Sequence, residues 1–269
     1  MEFRPCIDIH NGQVKQIVGG SLKDTGNQAK ENFVAKQDAE FFANLYKNAD
    51  IKGGHIILLN AKDSEYFAAT KEQALKALRA YPRGLQVGGG ITPDTAGEYL
   101  DAGASHVIVT SYVFQNGKIH FERLQELKDK VGREHLVLDV SCKKIGDNYV
   151  VMTDRWQKQT EEIVDYKLLD RLADYCDEFL IHAVDVEGMA KGLEQDLVKM
   201  LGEWKKRPIT YAGGVHDFED LRLIRTLGQN HINVTIGSAL DLFGGNMAFE
   251  EVLAVCKGTE QNKAESGKE

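Results

Sequence analysis

Apolar positions along this chain gather into eight short runs: 3–9 (FRPCIDI), 55–59 (HIILL), 85–87 (LQV), 106–110 (HVIVT), 136–140 (LVLDV), 179–183 (FLIHA), 208–212 (PITYA) and 232–236 (INVTI). Runs of this length bounded by turn signals read as strands with both faces covered. Between them, AEFFANLYKNA, KEQALKALRAY, TPDTAGEYLDAGA and DFEDLRLIRTLG place apolar residues three and four apart, the spacing of amphipathic helices. Thr92 before Pro93 marks a helix start and Gly103 the matching stop, and Asp217 with Asp220 can cap the helix after the seventh strand. Eight strand–helix units predict an α/β chain, a (β/α)8 TIM barrel, in which a parallel sheet closes on itself. A doubly wound open sheet is the alternative, but no GxGxxG follows the first strand.

Two stretches break the alternation. Residues 141–162 are irregular and long for a strand-to-helix loop, which predicts a functional lid or excursion. From Lys257 onward apolar periodicity is lost, so residues 1–256 are expected to form the barrel domain and 257–269 a disordered polar tail.

Composition narrows the partners. Hydrophobic residues make up 42% of the 269 and charged residues 28%, with a net charge of -8. That sign argues against nucleic acid or an anionic membrane as partner, but leaves small anions held by backbone amides. The four cysteines show no metal-ligand spacing and read as reduced thiols. No apolar stretch approaches the roughly 18 residues of a membrane span, and strand-like sequence begins at Phe3; a cytoplasmic monomer is expected.

Asp8 is out of place in this pattern, a carboxylate between Ile7 and Ile9 where burial is costly. A second aspartate, Asp139, stands in the same setting 131 residues later. The offset recurs: Gly90 in VGGGI and Gly214 in AGGV are 124 apart, and Ser111 and Ser238 are 127 apart. These matches predict a duplicated half-barrel. Glycines at strand ends let amides approach an anion, so Gly89, Gly90, Thr110 and Ser111 form one candidate phosphate site and Gly213, Gly214, Gly237 and Ser238 the other. For either site alone, tight turns explain the glycines equally well. In a barrel the two sites face each other, so a ligand filling both carries a phosphate at each end. Strand alternation points Asp8 and Asp139 inward between them, an acid/base pair if their environments differ.

Together these residues resemble the ProFAR isomerases of histidine biosynthesis, in the eukaryotic-type branch. The resemblance rests on Asp8 followed by Gly12 and Val14, GGGI at 88–91, Thr110 and Ser111, Asp139, Gly213 and Gly214, and Gly237, and it covers about the first 255 residues in order. It implies an Amadori rearrangement of an aminoaldose ribonucleotide with two phosphates, without metal or organic cofactor. It further implies that Asp139 protonates the ribose ring oxygen and Asp8 removes the proton from the neighbouring carbon. The chain departs from many bacterial members in having Thr92 where they have Arg after GGGI, and His182 where they have Thr. For His182, substrate contact and a structural role are both open. Trp156 in the long loop either stacks on the substrate's base or packs the loop.

Three other functions compete. The related cyclase of the pathway also has CxD on its first strand, but carries a lysine where this chain has Gln16. A dual-substrate isomerase acting also on phosphoribosylanthranilate is disfavoured by Thr92. A non-catalytic phosphosugar-binding barrel fits the periodicity equally, and differs in predicting that the aspartates are dispensable.

Overall fold

A computed structural model describes residues 1–18, 21–23, 26, 28–186 and 192–259. Eight parallel strands form its central sheet: β1 (Cys6–His10), β2 (Gly54–Leu58), β3 (Leu85–Gly88), β4 (Val107–Val109), β5 (Leu136–Asp139), β6 (Glu178–His182), β7 (Ile209–Ala212) and β8 (Ile232–Thr235). Each coincides with one of the eight apolar runs. Among the described residues eight α-helices follow the strands in turn: α1 (Ala39–Asn48), α2 (Phe67–Ala80), α3 (Pro93–Asp101), α4 (Phe121–Val131), α5 (Tyr166–Leu172), α6 (Gln195–Glu203), α7 (Phe218–Leu227) and α8 (Phe249–Lys257). This is the (β/α)8 barrel expected from the alternation. None of these helices is long and apolar enough to cross a membrane.

The sheet closes just before β1. Val234 of β8 donates its N–H to the Glu2 carbonyl at 3.0 Å and accepts from Arg4 N at 2.8 Å. The Thr235 hydroxyl adds a bond to the Arg4 carbonyl at 2.8 Å. The Arg4 guanidinium then turns into the barrel floor, where Glu178 Oε2 accepts from it at 3.3 Å and from Gln86 Nε2 at 2.9 Å, and Glu178 Oε1 accepts from the Thr210 hydroxyl. One buried carboxylate thus joins β3, β6, β7 and the closing segment, compensating the loss of its hydration.

Alternation divides the side chains as the sequence implied. Ile7 and Ile9 belong to the large core between sheet and helices, whereas Ile108, Val137 and Leu180 pack with Ile57 in a small cluster inside the barrel. The helix caps also follow the sequence: Thr92 and Thr95 form a capping box at α3, and Gly103 takes φ +112 just beyond its end. At α7 only Asp217 caps, accepting from Glu219 N and Asp220 N at 2.9 Å each. Asp220 instead accepts from His216 N and the His216 ring, which corrects the expectation that both aspartates cap.

Residues 141–162 are not irregular. They form an antiparallel three-stranded meander, Cys142–Ile145, Asn148–Thr153 and Lys158–Ile163, standing above the end of β5. A hairpin after β1, Gln13–Ile17 with Glu31–Val34, was also not foreseen. At the other end, α8 runs through Lys257 and stops at Gly258, with φ +70. The rest of the expected tail, 260–269, lies outside the described residues. The four cysteines are buried, and none of them is in a disulfide.

The floor gives a stability test. Arg4→Met leaves Glu178 buried without its cation and should cost about 3 kcal/mol, whereas Arg4→Met with Glu178→Gln should recover most of that loss. Chemical denaturation of the two variants checks this; equal losses would refute the pairing.

Candidate active site

At the carboxyl ends of the strands two cavities meet. One, of about 280 Å³, is walled by Gly213, Gly214, Gly237 and Ser238. The other, of about 180 Å³, is walled by Gly89, Gly90, Thr110, Ser111 and Trp156, with Asp139 on its side. Asp8 and His182 line both. Every site residue expected from the sequence therefore lies on one of two connected pockets, and the two aspartates stand between the two glycine walls.

The glycine walls are near copies. Gly89 and Gly90 have φ of +114 and +69; Gly213 and Gly214, 124 residues on, have +115 and +80. These conformations disfavour side chains, and space forbids them: a methyl group on Gly89 would strike the Leu58 carbonyl, and one on Gly214 the Gly192 carbonyl. The likeness of backbone at a fixed offset supports the half-barrel duplication more directly than the residue matches do.

Other features of the expected phosphate sites differ. The segments after β4 and β8 are single 3₁₀ turns, Ser111–Val113 and Asp241–Phe243. Ser111 Oγ accepts from Asp154 N of the meander at 2.9 Å. The Thr110 hydroxyl donates to Asp139 Oδ2 at 3.2 Å.

The two carboxylates are held differently. Asp8 is the one residue of β1 that is not fully buried, and Asp139 the one of β5. Burial pushes the Asp8 carboxyl from 3.8 up to about 7, opposed by a hydrogen bond from the Cys6 thiol. Gln16 Nε2 in turn donates to Cys6 Sγ at 3.4 Å, so the residue at the cyclase-lysine position is engaged behind Asp8. Asp139 instead accepts on both oxygens, from Thr110 and from Ser141, whose N–H donates to Oδ1 at 2.8 Å and whose hydroxyl donates to the same atom.

His182 is held on β6 beside this pair. Its Nδ1 lies 3.0 Å from Ser141 Oγ, and its ring centroid 5.2 Å from that of Trp156 and 6.0 Å from that of His55. Trp156 sits in a turn in which Asp154, Arg155 and Trp156 all have positive φ, between 50° and 66°. That turn projects the indole over the second cavity. Burial, aided by His182 and Arg4, pushes His55 down to about 3, so this ring is a neutral wall of the first cavity.

Sequence reasoning missed Ser141, Gln16 and His55 as members of the site. Ser141 had a local signal, a hydroxyl two residues after a strand-end aspartate. Gln16 was marked only by its place at the cyclase-lysine position, and His55 had no signal, since its role arises from the closed barrel. His216, Asp217 and Asp220 bring ligand-type atoms together at the start of α7, where Asp217 caps the helix and Asp220 bonds the His216 ring.

Comparison with known proteins places the chain among relatives. A family model described as histidine biosynthesis protein matches residues 2–247. A Medicago truncatula protein is 51% identical over 258 residues, spanning 94% of this chain and 81% of its own length. Proteins of Yarrowia lipolytica and Saccharomyces cerevisiae are 45% identical over 253 residues and 40% over 258. The alignments span 91% and 93% of this chain and 93% and 96% of theirs, respectively. All three are named 1-(5-phosphoribosyl)-5-((5-phosphoribosylamino)methylideneamino) imidazole-4-carboxamide isomerase, the plant protein as chloroplastic.

The raised Asp8 carboxyl predicts a pH effect on stability. Between about pH 4 and about 7 the folded chain keeps a proton that the unfolded chain releases, so stability falls as pH rises through that window. Asp8→Asn removes this dependence. Its thermal midpoint should exceed that of the wild type by more at about pH 8 than at about pH 4.5; a constant gap across the window would exclude the shift.

Proposed function

This chain belongs to the histidine biosynthesis protein family, and from that premise we propose that it isomerises the aminoaldose named in its relatives to the aminoketose, using Asp8 and Asp139 as base and acid. The observation that carries the assignment is the meeting of two glycine-walled cavities at Asp8, with Asp139 beside them. A substrate with a phosphoribosyl group at each end suits two anion seats flanking one reacting centre. In this reading Gly89, Gly90 and Ser111 form one seat, and Gly213, Gly214, Gly237 and Ser238 the other. Trp156 offers an aromatic face to the base between them.

The chemistry follows as a closed proton cycle. Asp139 gives a proton to the ribose ring oxygen as the amine lone pair forms a carbon–nitrogen double bond and the C1–O bond breaks. Asp8 takes the proton from C2, and that electron pair forms a C1–C2 double bond while the nitrogen recovers its lone pair. The enol proton then returns to Asp139 and the Asp8 proton goes to C1, leaving a ketone at C2. Both carboxyls end as they began, so no net proton or electron is consumed. A carboxyl raised to about 7 suits the base, because a general base works best near the operating pH. The amine is the substrate's own electron sink, so the cycle calls for no metal or organic cofactor.

The same proposal takes residues 1–256 as one domain acting as a monomer in the cytoplasm. The cyclase reading loses support from Gln16, whose amide is engaged with Cys6 in place of the free lysine. Recovery of the protein in plastids, the compartment in the Medicago truncatula protein's name, would replace the cytoplasmic assignment.

An absorbance assay with the isolated aminoaldose tests the function: the purified chain should convert it, and no conversion would reject the reading. Asp8→Asn and Asp139→Asn should each lower kcat by about 100-fold or more while product binding by calorimetry is retained. Full turnover in either variant would return the choice to a non-catalytic binding barrel.

A further inference from the structure

Ser141 Oγ has one proton and two lone pairs, and the structure accounts for all three. The His182 backbone N–H donates to it at 3.1 Å and His182 Nδ1 lies at 3.0 Å, which leaves the hydroxyl proton for Asp139 Oδ1. The backbone bond already ties β5 to β6 at this point, so the imidazole adds a contact that the fold itself does not need. It ends instead a continuous chain from a titratable ring to a carboxylate.

We propose that Ser141 and His182 are positioning residues that carry a proton to and from Asp139 along His182 Nδ1, Ser141 Oγ and Asp139 Oδ1. The proposal rests on Asp139 being the acid of the isomerisation. Once Asp139 is ionised, an imidazolium at His182 gives its Nδ1 proton to Ser141 Oγ, as the original hydroxyl proton moves to Asp139 Oδ1. A neutral imidazole protonated on Nε2 and a protonated carboxyl result. One N–H bond and one O–H bond break, two O–H bonds form, and nothing is oxidised. The reverse transfer restores the first state, and in both the serine has a partner on each side. A hydroxyl can serve this way because it reverses its donor and acceptor roles by rotation.

Charged groups of the meander, Asp154 and Arg155, line the same cavity as the His182 ring. Around His182 stand Asp139 from β5, Asp8 from β1 across the cavities, His55 from β2 and the Trp156 indole from the meander. His55 is held neutral, so it opposes the imidazolium weakly, and Arg4 lies behind His55 on the floor side. The Cys142 thiol next to Ser141 is pushed upward by burial and by Asp139, and stays protonated.

Steady-state kinetics of the full chain on the aminoaldose, across pH, test the relay. Ser141→Ala should lower kcat about tenfold or more with KM within about twofold, and Ser141→Thr, which keeps the hydroxyl, should restore most of it. His182→Asn keeps a donor near the Nδ1 position but cannot store a proton, so the alkaline limb of kcat should move down by about one pH unit. The double variant should be no slower than Ser141→Ala, because one chain is cut twice. The relay is overturned if both single variants keep kcat within about twofold and the limb stays in place. A slowed Ser141→Ala with an unmoved limb in His182→Asn overturns it as well, leaving Ser141 as a simple bond to Asp139. Should Ser141→Ala fail to fold, Ser141→Thr and His182→Asn still decide. A wild type without turnover rejects the function itself, whereas active wild type with unaffected variants rejects only the relay.

Discussion

The barrel is closed through Arg4. Its backbone N–H pairs with β8, its carbonyl takes the Thr235 hydroxyl, and its guanidinium neutralises the Glu178 carboxylate on the floor. An open sheet of the same strands would leave β1 and β8 as free edges and keep the two glycine walls apart. Closure makes the curvature that turns the even residues of β1 and the odd residues of β5 toward a common interior. The buried ion pair beneath is tolerable because Gln86 and Thr210 take up its remaining acceptor positions.

Given closure, side-chain parity does the rest. Asp8 and Asp139 reach one space because each lies on the inner face of its strand and lines the second cavity at the mouth. Their neighbours Ile7, Ile9 and Leu138 supply the outer core. The same carboxyl chemistry thus receives two environments. Asp8 is desolvated, with a weak thiol donor beside it; Asp139 is surrounded by hydroxyls and an amide. Two identical side chains are thereby held in contrasting electrostatic settings.

Much of this was legible in the sequence, and the reasons differ by element. All eight barrel strands were legible because a strand covered on both faces is a continuous apolar run. The meander at 142–163 was not, because strands such as Lys158–Ile163 and Cys142–Ile145 are largely exposed and read as loop. The glycine pairs were legible because their backbone conformation restricts the residue type. The protein partners of the Thr110 and Ser111 hydroxyls were not legible, since a hydroxyl's partner is chosen by neighbours distant in sequence: Asp139 for one, Asp154 for the other. Ser141 and His182 are 41 residues apart, and only the pairing of β5 with β6 brings them together.

The matched glycine backbones also pose a problem of direction. A cradle whose two ends are near-identical cannot tell head from tail, and a ligand seated by its glycines alone would lie either way round with equal ease. Polarity has to come from whatever the halves do not share. One half extends β1 into a hairpin that brings Gln16 behind Asp8. The other extends β5 into a meander that carries Trp156 over the cavity and joins Asp139 to Ser141. Those unequal additions to an otherwise repeated frame turn a symmetric receptacle into a handed one.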